Sequence, residues 1–144
     1  VAAVGYFAEK LQRVPGLPQA GTNIIVMPSH SVGCAGKFGG LRAVVARLAG
    51  VTDLSELLVR HTAVSKSSVA APGERPSAEE HRDSMKVIDV AGIQGKDLVL
   101  LDDVVTRGAS MCGARHVLLA AGARSVTCLA LTHTQSPKIP HLPF

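Results

Sequence analysis

Four apolar residues, Leu98-Val99-Leu100-Leu101, run straight into two acids, Asp102 and Asp103, and on through Val104-Val105-Thr106-Arg107-Gly108-Ala109-Ser110. An unbroken apolar run bounded by polar residues reads as a strand buried on both faces, the kind found in parallel sheets covered by helices. Open sheets of that class hold ligands at the carboxyl ends of their strands, where the two acids fall. After the polar loop, Met111, Ala114, Val117, Leu118 and Ala121 recur at helical spacing, and Gly122 ends the pattern. The loop therefore opens a helix, whose first backbone N–H groups lack partners and can receive an anion.

The chain in order supports an α/β domain. Val4, Phe7, Ala8 and Leu11 mark a helix within residues 1–14, stopped by Pro15-Gly16-Leu17-Pro18. Asn23 to Met27 is short, apolar and β-branched, a core strand that ends at Pro28. Leu41, Val44, Val45 and Leu48 predict a helix over residues 37–49, closed by Gly50, with Arg42 and Arg47 on its solvated side. Leu57-Leu58-Val59 reads as a strand, residues 85–90 as a further strand at a sheet edge, and residues 125–131 as the strand after the loop-borne helix. Strand, helix and strand joined by short connections imply a parallel crossover. Between residues 60 and 80 periodicity is lost and Ser, Pro, Gly and charge take over, as in a functional or mobile loop. Residues 135–144 hold three of the eight prolines and are expected to be an extended or disordered tail.

Composition excludes several classes. With 144 residues, 47% of them hydrophobic, the chain is long enough for one continuous core and too apolar for disorder. Three Phe, one Tyr and no Trp leave little to stack bases on, so nucleic acid is not the expected partner, and a net charge of +4 suits a phosphate-bearing small molecule equally well. Cys34, Cys112 and Cys128 have no zinc-ligand spacing and read as buried small hydrophobes in a reducing compartment. No window approaches the length of an apolar membrane span and no signal-peptide pattern is present, so the expectation is a cytoplasmic protein without a membrane partner. Val1 stands where a complete chain would begin with Met, which suits a fragment or a processed chain.

The stretch from Leu98 to Ser110, with the Ala121-Gly122-Ala123 turn and the strand after it, resembles the phosphoribosyl-pyrophosphate (PRPP) motif of type I phosphoribosyltransferases. The resemblance implies a single α/β domain over residues 1–134, with a central, mainly parallel sheet flanked by helices and a reduced hood. It implies that Asp102 and Asp103 are the catalytic acids, holding the ribose hydroxyls and, through those hydroxyls or water, a Mg²⁺ ion. Thr106, Arg107, Gly108, Ala109 and Ser110 would wrap the 5′-phosphate. Pro28, Ser29 and His30 occupy the position of the family's pyrophosphate loop. The segment over residues 60–80 takes the place of the mobile loop that closes over PRPP, with Arg60, Lys66, Arg75 and Arg82 as candidates to meet the pyrophosphate. For any one of these cations, and for His30, an ordinary solvated role is the competing reading. The spacing Arg60…Arg75…His81-Arg82 resembles the competence-factor-like (ComF-like) branch, and Arg107 resembles the glutamine amidotransferase branch.

Residue chemistry is consistent with that assignment. Carboxylates accept charge-assisted hydrogen bonds from neighbouring hydroxyls, and Gly108 allows positive φ and close backbone approach to a phosphate. Neighbours on a regular strand point to opposite faces, so both acids can meet one ribose only if the strand ends there and the backbone turns. Mg²⁺ keeps several waters and needs no all-protein cage. The implied reaction is transfer of the 5-phosphoribosyl group to a nitrogenous acceptor with release of pyrophosphate. Thr106 stands where purine-salvage members carry an Asp that assists proton transfer, which disfavours 6-oxopurine acceptors. A non-catalytic PRPP sensor or adaptor is the alternative, and a metal-dependent phosphotransfer domain a more distant one. The acceptor, and whether the chain forms a homodimer, are left open by the sequence.

Overall fold

The computed structural model describes residues 2–17, 20–32, 39–64 and 73–134. Four strands form a wholly parallel sheet: β1 (Thr22–Val26), β2 (Val51–Asp53), β5 (Asp97–Val105) and β6 (Ser125–His133), in the order β2-β1-β5-β6. Two short strands, β3 (Leu58–Arg60) and β4 (Met85–Val87), pair antiparallel in a separate sheet. The helices are α1 (Ala2–Gln12), α2 (Gly39–Val45), α3 (Ala78–Asp83) and α4 (Ala109–Ala120), with a 3-10 turn at Ser55–Leu57. The protein is thus an α/β fold with a central parallel sheet flanked by helices.

The alternation of β5 divides the core in two. Leu98 and Leu100 face the layer of α4, β3 and β4, packing with Ile25, Leu58, Met85, Ala114 and Leu118. Leu101 faces the layer of α1 and α2, packing with Leu11, Ile24, Val26, Leu41 and Val44, and Val99 lies against the same cluster. Leu98, Leu100 and Leu101 are at most 1% exposed, and each contributes about 1.5–3 kcal/mol through burial. A buried serine links the layers: Ser55 Oγ accepts from Val26 N at 2.9 Å and binds the Asp53 carboxylate. Asp53 in turn takes Arg42 Nε at 2.9 Å, so Arg42 is half-buried in an ion pair and not simply solvated.

Several local expectations change. The helix read over 37–49 is regular only from Gly39 to Val45, and Arg47 N to Val44 O and Leu48 N to Val45 O tighten its last turn. β2 and α3 were not foreseen, and the strand read over 85–90 is three residues long and pairs with β3 outside the main sheet. β5 does not stop at Leu101 but runs through both acids to Val105, where its ladder with β6 still pairs Val104 with Thr132 and Val105 with His133. Cys112, in the first turn of α4, and Cys128, on the edge strand β6, are exposed, not buried. Cys34, Lys66 and the tail from residue 135 lie outside the described residues. No helix among the described residues is long and apolar enough to cross a membrane.

Candidate functional site

The strand-to-helix junction after β5 lines a cavity of about 250 Å³ whose wall is Asp102, residues 104–110, His30, Arg75 and Pro76. Gly108 is the N-cap of α4 at φ +77°, a left-handed conformation that costs an L side chain about 1–2 kcal/mol. Its carbonyl accepts from Cys112 N at 2.9 Å, which starts the helix. No side chain caps α4, so the amides of its first turn lack an intrahelical acceptor, and Gly108, Ala109 and Ser110 at that end line the cavity. All five residues expected to hold a phosphate, Thr106 to Ser110, lie on this wall.

The two acids part company. Asp102 is 8% exposed and on the wall, whereas Asp103 is half-buried and off it, as strand alternation requires once β5 continues through the pair. Asp102 Oδ1 accepts from Asp103 N at 2.9 Å, and Asp103 Oδ1 accepts from Val104 N at 2.7 Å. The Asp103 carbonyl takes the Thr132 hydroxyl at 3.0 Å, which keeps β6 aligned beyond the acids. Burial, with the neighbouring Asp103 carboxylate, pushes the Asp102 carboxyl up to about 7.

The cations expected at the pyrophosphate divide likewise. Arg75 and His30 reach the wall. Arg60 does not: it is 1% exposed, donates from Nε to the Ser29 carbonyl at 2.8 Å and binds Ser84 Oγ. Among the described residues no carboxylate pairs with it, and burial lowers its guanidinium's proton affinity. Arg60 braces the loop of Pro28, Ser29 and His30 from behind. Pro28 is buried, Ser29 Oγ accepts from Ser31 N at 3.0 Å, and of the three only His30 lines the cavity. Arg82 lies off the wall and pairs with Asp83 at 2.7 Å. Beside Arg60, fully buried His81 has neither ring nitrogen hydrogen-bonded, and burial, then Arg60, then His30 push its pKa down to about 4.

Sequence reasoning passed over Pro76, Val104 and Val105 as wall residues. The one available signal was Ser77-x-x-Glu80, a capping box that starts α3 right after Pro76: Ser77 Oγ accepts from Glu80 N at 3.2 Å and Glu80 Oε2 from Ser77 N at 2.7 Å.

No protein-family model matches the chain. Among curated proteins it is similar to ribose-phosphate pyrophosphokinases. That of Corynebacterium efficiens is 37% identical over 94 residues, 56% of this chain and 29% of the enzyme. That of Mesorhizobium japonicum is 43% identical over 61 residues, 42% of this chain and 17% of the enzyme. That of Bifidobacterium longum is 50% identical over 44 residues, 31% of this chain and 13% of the enzyme. The chain thus spans less than a third of the length of these relatives. A solved structure described as a glutamic-acid mutant at an invariant aspartic acid in HPRTs aligns with 99% of this chain and 71% of its own, at 14% identity and a TM-score of 0.45. The chain is thus similar to the pyrophosphokinases over at most 56% of its length, and its central parallel strand carries paired acids into a glycine-turned helix start.

Proposed function

We propose that the cavity binds PRPP, and that the chain transfers its 5-phosphoribosyl group to a nitrogenous acceptor with release of pyrophosphate. The observation that carries this reading is the wall itself: a buried acid, Asp102, faces the uncapped N-terminus of α4 across a loop turned by a left-handed glycine. The 5′-phosphate seats on the amides of residues 106–110, where the helix dipole favours negative charge. Asp102 accepts from a ribose hydroxyl and orients the anomeric carbon, while Asp103 Oδ1, off the wall, accepts from Val104 N within β5. The pyrophosphate extends toward His30 and Arg75, whose side chains meet its charge as it leaves. Catalysis by these residues is positional and electrostatic.

The residues present fit a Mg²⁺ ion. Burial, with the neighbouring Asp103 carboxylate, holds the Asp102 carboxyl up to about 7, and a cation at this edge would favour its charged form. Among the described residues no three His, Cys, Asp or Glu side chains cluster, so Asp102, the acid on the cavity wall, would hold the ion through water and substrate oxygens. When bound, Mg²⁺ supplies positive charge to the pyrophosphate.

The relatives favour a second reading at the same site, in which PRPP is the product of pyrophosphoryl transfer from a nucleoside triphosphate to the 1-hydroxyl of ribose 5-phosphate. Incubating the protein with PRPP, Mg²⁺ and a panel of amines and nucleobases, and assaying pyrophosphate, separates these readings. Acceptor-dependent pyrophosphate release supports transfer. Formation of PRPP from ribose 5-phosphate and ATP supports the second reading. PRPP binding without either reaction leaves a sensor, and no binding refutes the site.

A further inference from the structure

Two exposed thiols on elements flanking the cavity have no part in the chemistry above. Cys112 is the fourth residue of α4, two positions after the candidate phosphate loop, and Cys128 lies on β6, two before Ala130, the ladder partner of Asp102. Their relative placement follows from one anchor. Arg115 on α4 donates from Nε to the Val126 carbonyl on β6 at 3.3 Å. α4 leaves the carboxyl end of β5 and returns to the start of β6, so it runs antiparallel to β6. From the anchor, Cys112 lies one turn back along α4, about 4.5 Å toward the carboxyl edge of the sheet. Cys128 lies two residues onward along β6, about 6.6 Å toward that same edge. Residues three apart on a helix share a face, so Cys112 lies on the side of α4 that carries Arg115. Residues two apart on a strand share a face, so Cys128 lies on the face of β6 that carries Val126, whose side chain belongs to the same core cluster as Ala114 and Leu118 of α4. The Cys128 thiol responds to both neighbours: burial and Cys112 push it up, and the Arg115 guanidinium pulls it down.

We infer that Cys112 and Cys128 form a reversible dithiol–disulfide site that a peroxide closes. One thiolate attacks hydrogen peroxide, breaking its O–O bond and becoming a sulfenic acid as water leaves. The second thiolate attacks that sulfur, the S–S bond forms, and the sulfenic oxygen departs as water. Two thiols and one peroxide give one disulfide and two waters, with two electrons passing from sulfur to oxygen. The bridge ties the first turn of α4 to β6 beside the cavity, independently of what the cavity binds.

The test treats the reduced full chain with hydrogen peroxide, quenches it with an alkylating agent, and maps unreduced peptides by mass spectrometry. The expected result is a fall from three free thiols to one, with the Cys112 and Cys128 peptides joined and Cys34 alkylated. The product runs as a monomer on a non-reducing gel, and dithiothreitol restores all three thiols. Cys112→Ser and Cys128→Ser, both exposed positions that tolerate serine, each abolish the joined peptide. Oxidation of the two cysteines without a joined peptide, a link only between chains, or a link through Cys34 would overturn the inference.

Discussion

Protonating one buried ring should destabilise this fold by a predictable amount. His81 is 0% exposed with both nitrogens unpaired, and the groups acting on it are Arg60 and His30, which oppose its cation, and Glu80, which weakly favours it. Burial and these neighbours move its pKa from 6.5 down to about 4, so between those values the unfolded chain binds a proton that the folded chain does not. The contribution is therefore intact above pH 6.5, is lost as pH falls toward 4, and levels off below. Linkage gives a loss of about 2 kcal/mol between pH 7 and 5, rising to about 3 kcal/mol at pH 4. For a domain stable by about 5–15 kcal/mol this is a large fraction. The assay is urea unfolding from pH 7 to 4 on the wild type and on His81→Leu, in which every other titrating group is retained. Leucine removes two unsatisfied buried nitrogens, so the variant should be no less stable than wild type at pH 7 and should lack about 2 kcal/mol of the fall to pH 5. Equal pH slopes in the two proteins would refute the reasoning.

Three further outcomes follow from single contacts. Gly113→Ala would place a Cβ 2.7 Å from Ala78 O and Arg82 N and 2.9 Å from His81 Cβ, so it should cost about 1–3 kcal/mol in chemical denaturation although alanine favours helix. Gly108→Ala forces a side chain into φ +77°, and should lower stability by about 1–2 kcal/mol and weaken phosphate binding measured by calorimetry. Arg60→Met leaves the Ser29 carbonyl and Ser84 hydroxyl without their buried donor, and should cost about 2–3 kcal/mol while shifting the His81 pKa upward, read by NMR titration.

What was legible in the sequence was what periodicity and composition carry. Leu98 to Leu101, the helical repeat from Met111 to Ala121 and the glycines at 108 and 122 each read as they fold, because their burial follows a regular pattern. The continuation of β5 through Asp102 to Val105 was hidden because charged residues look like a strand's end, although the backbone ladder with β6 holds them regardless of side-chain polarity. β2 is three residues long, too short for any alternation to show. Arg60 reads as a loop cation in sequence, since nothing local reveals that the Ser29 carbonyl and Ser84 hydroxyl, 31 and 24 residues away, receive it in the core. The exposure of Cys112 and Cys128 was equally invisible, because it depends on β6 being the sheet's edge.

The central claim is that Asp102 and the loop from Thr106 to Ser110 form a site for a 5-phosphoribosyl diphosphate. Its most direct test is calorimetric titration with PRPP, with and without Mg²⁺, on the wild type and on the Asp102→Asn/Asp103→Asn double variant. The account predicts micromolar-range binding by the wild type that strengthens with Mg²⁺ and is lost in the variant while the variant remains folded by circular dichroism. Absence of binding by folded wild-type protein, or equal binding by the variant, would contradict it.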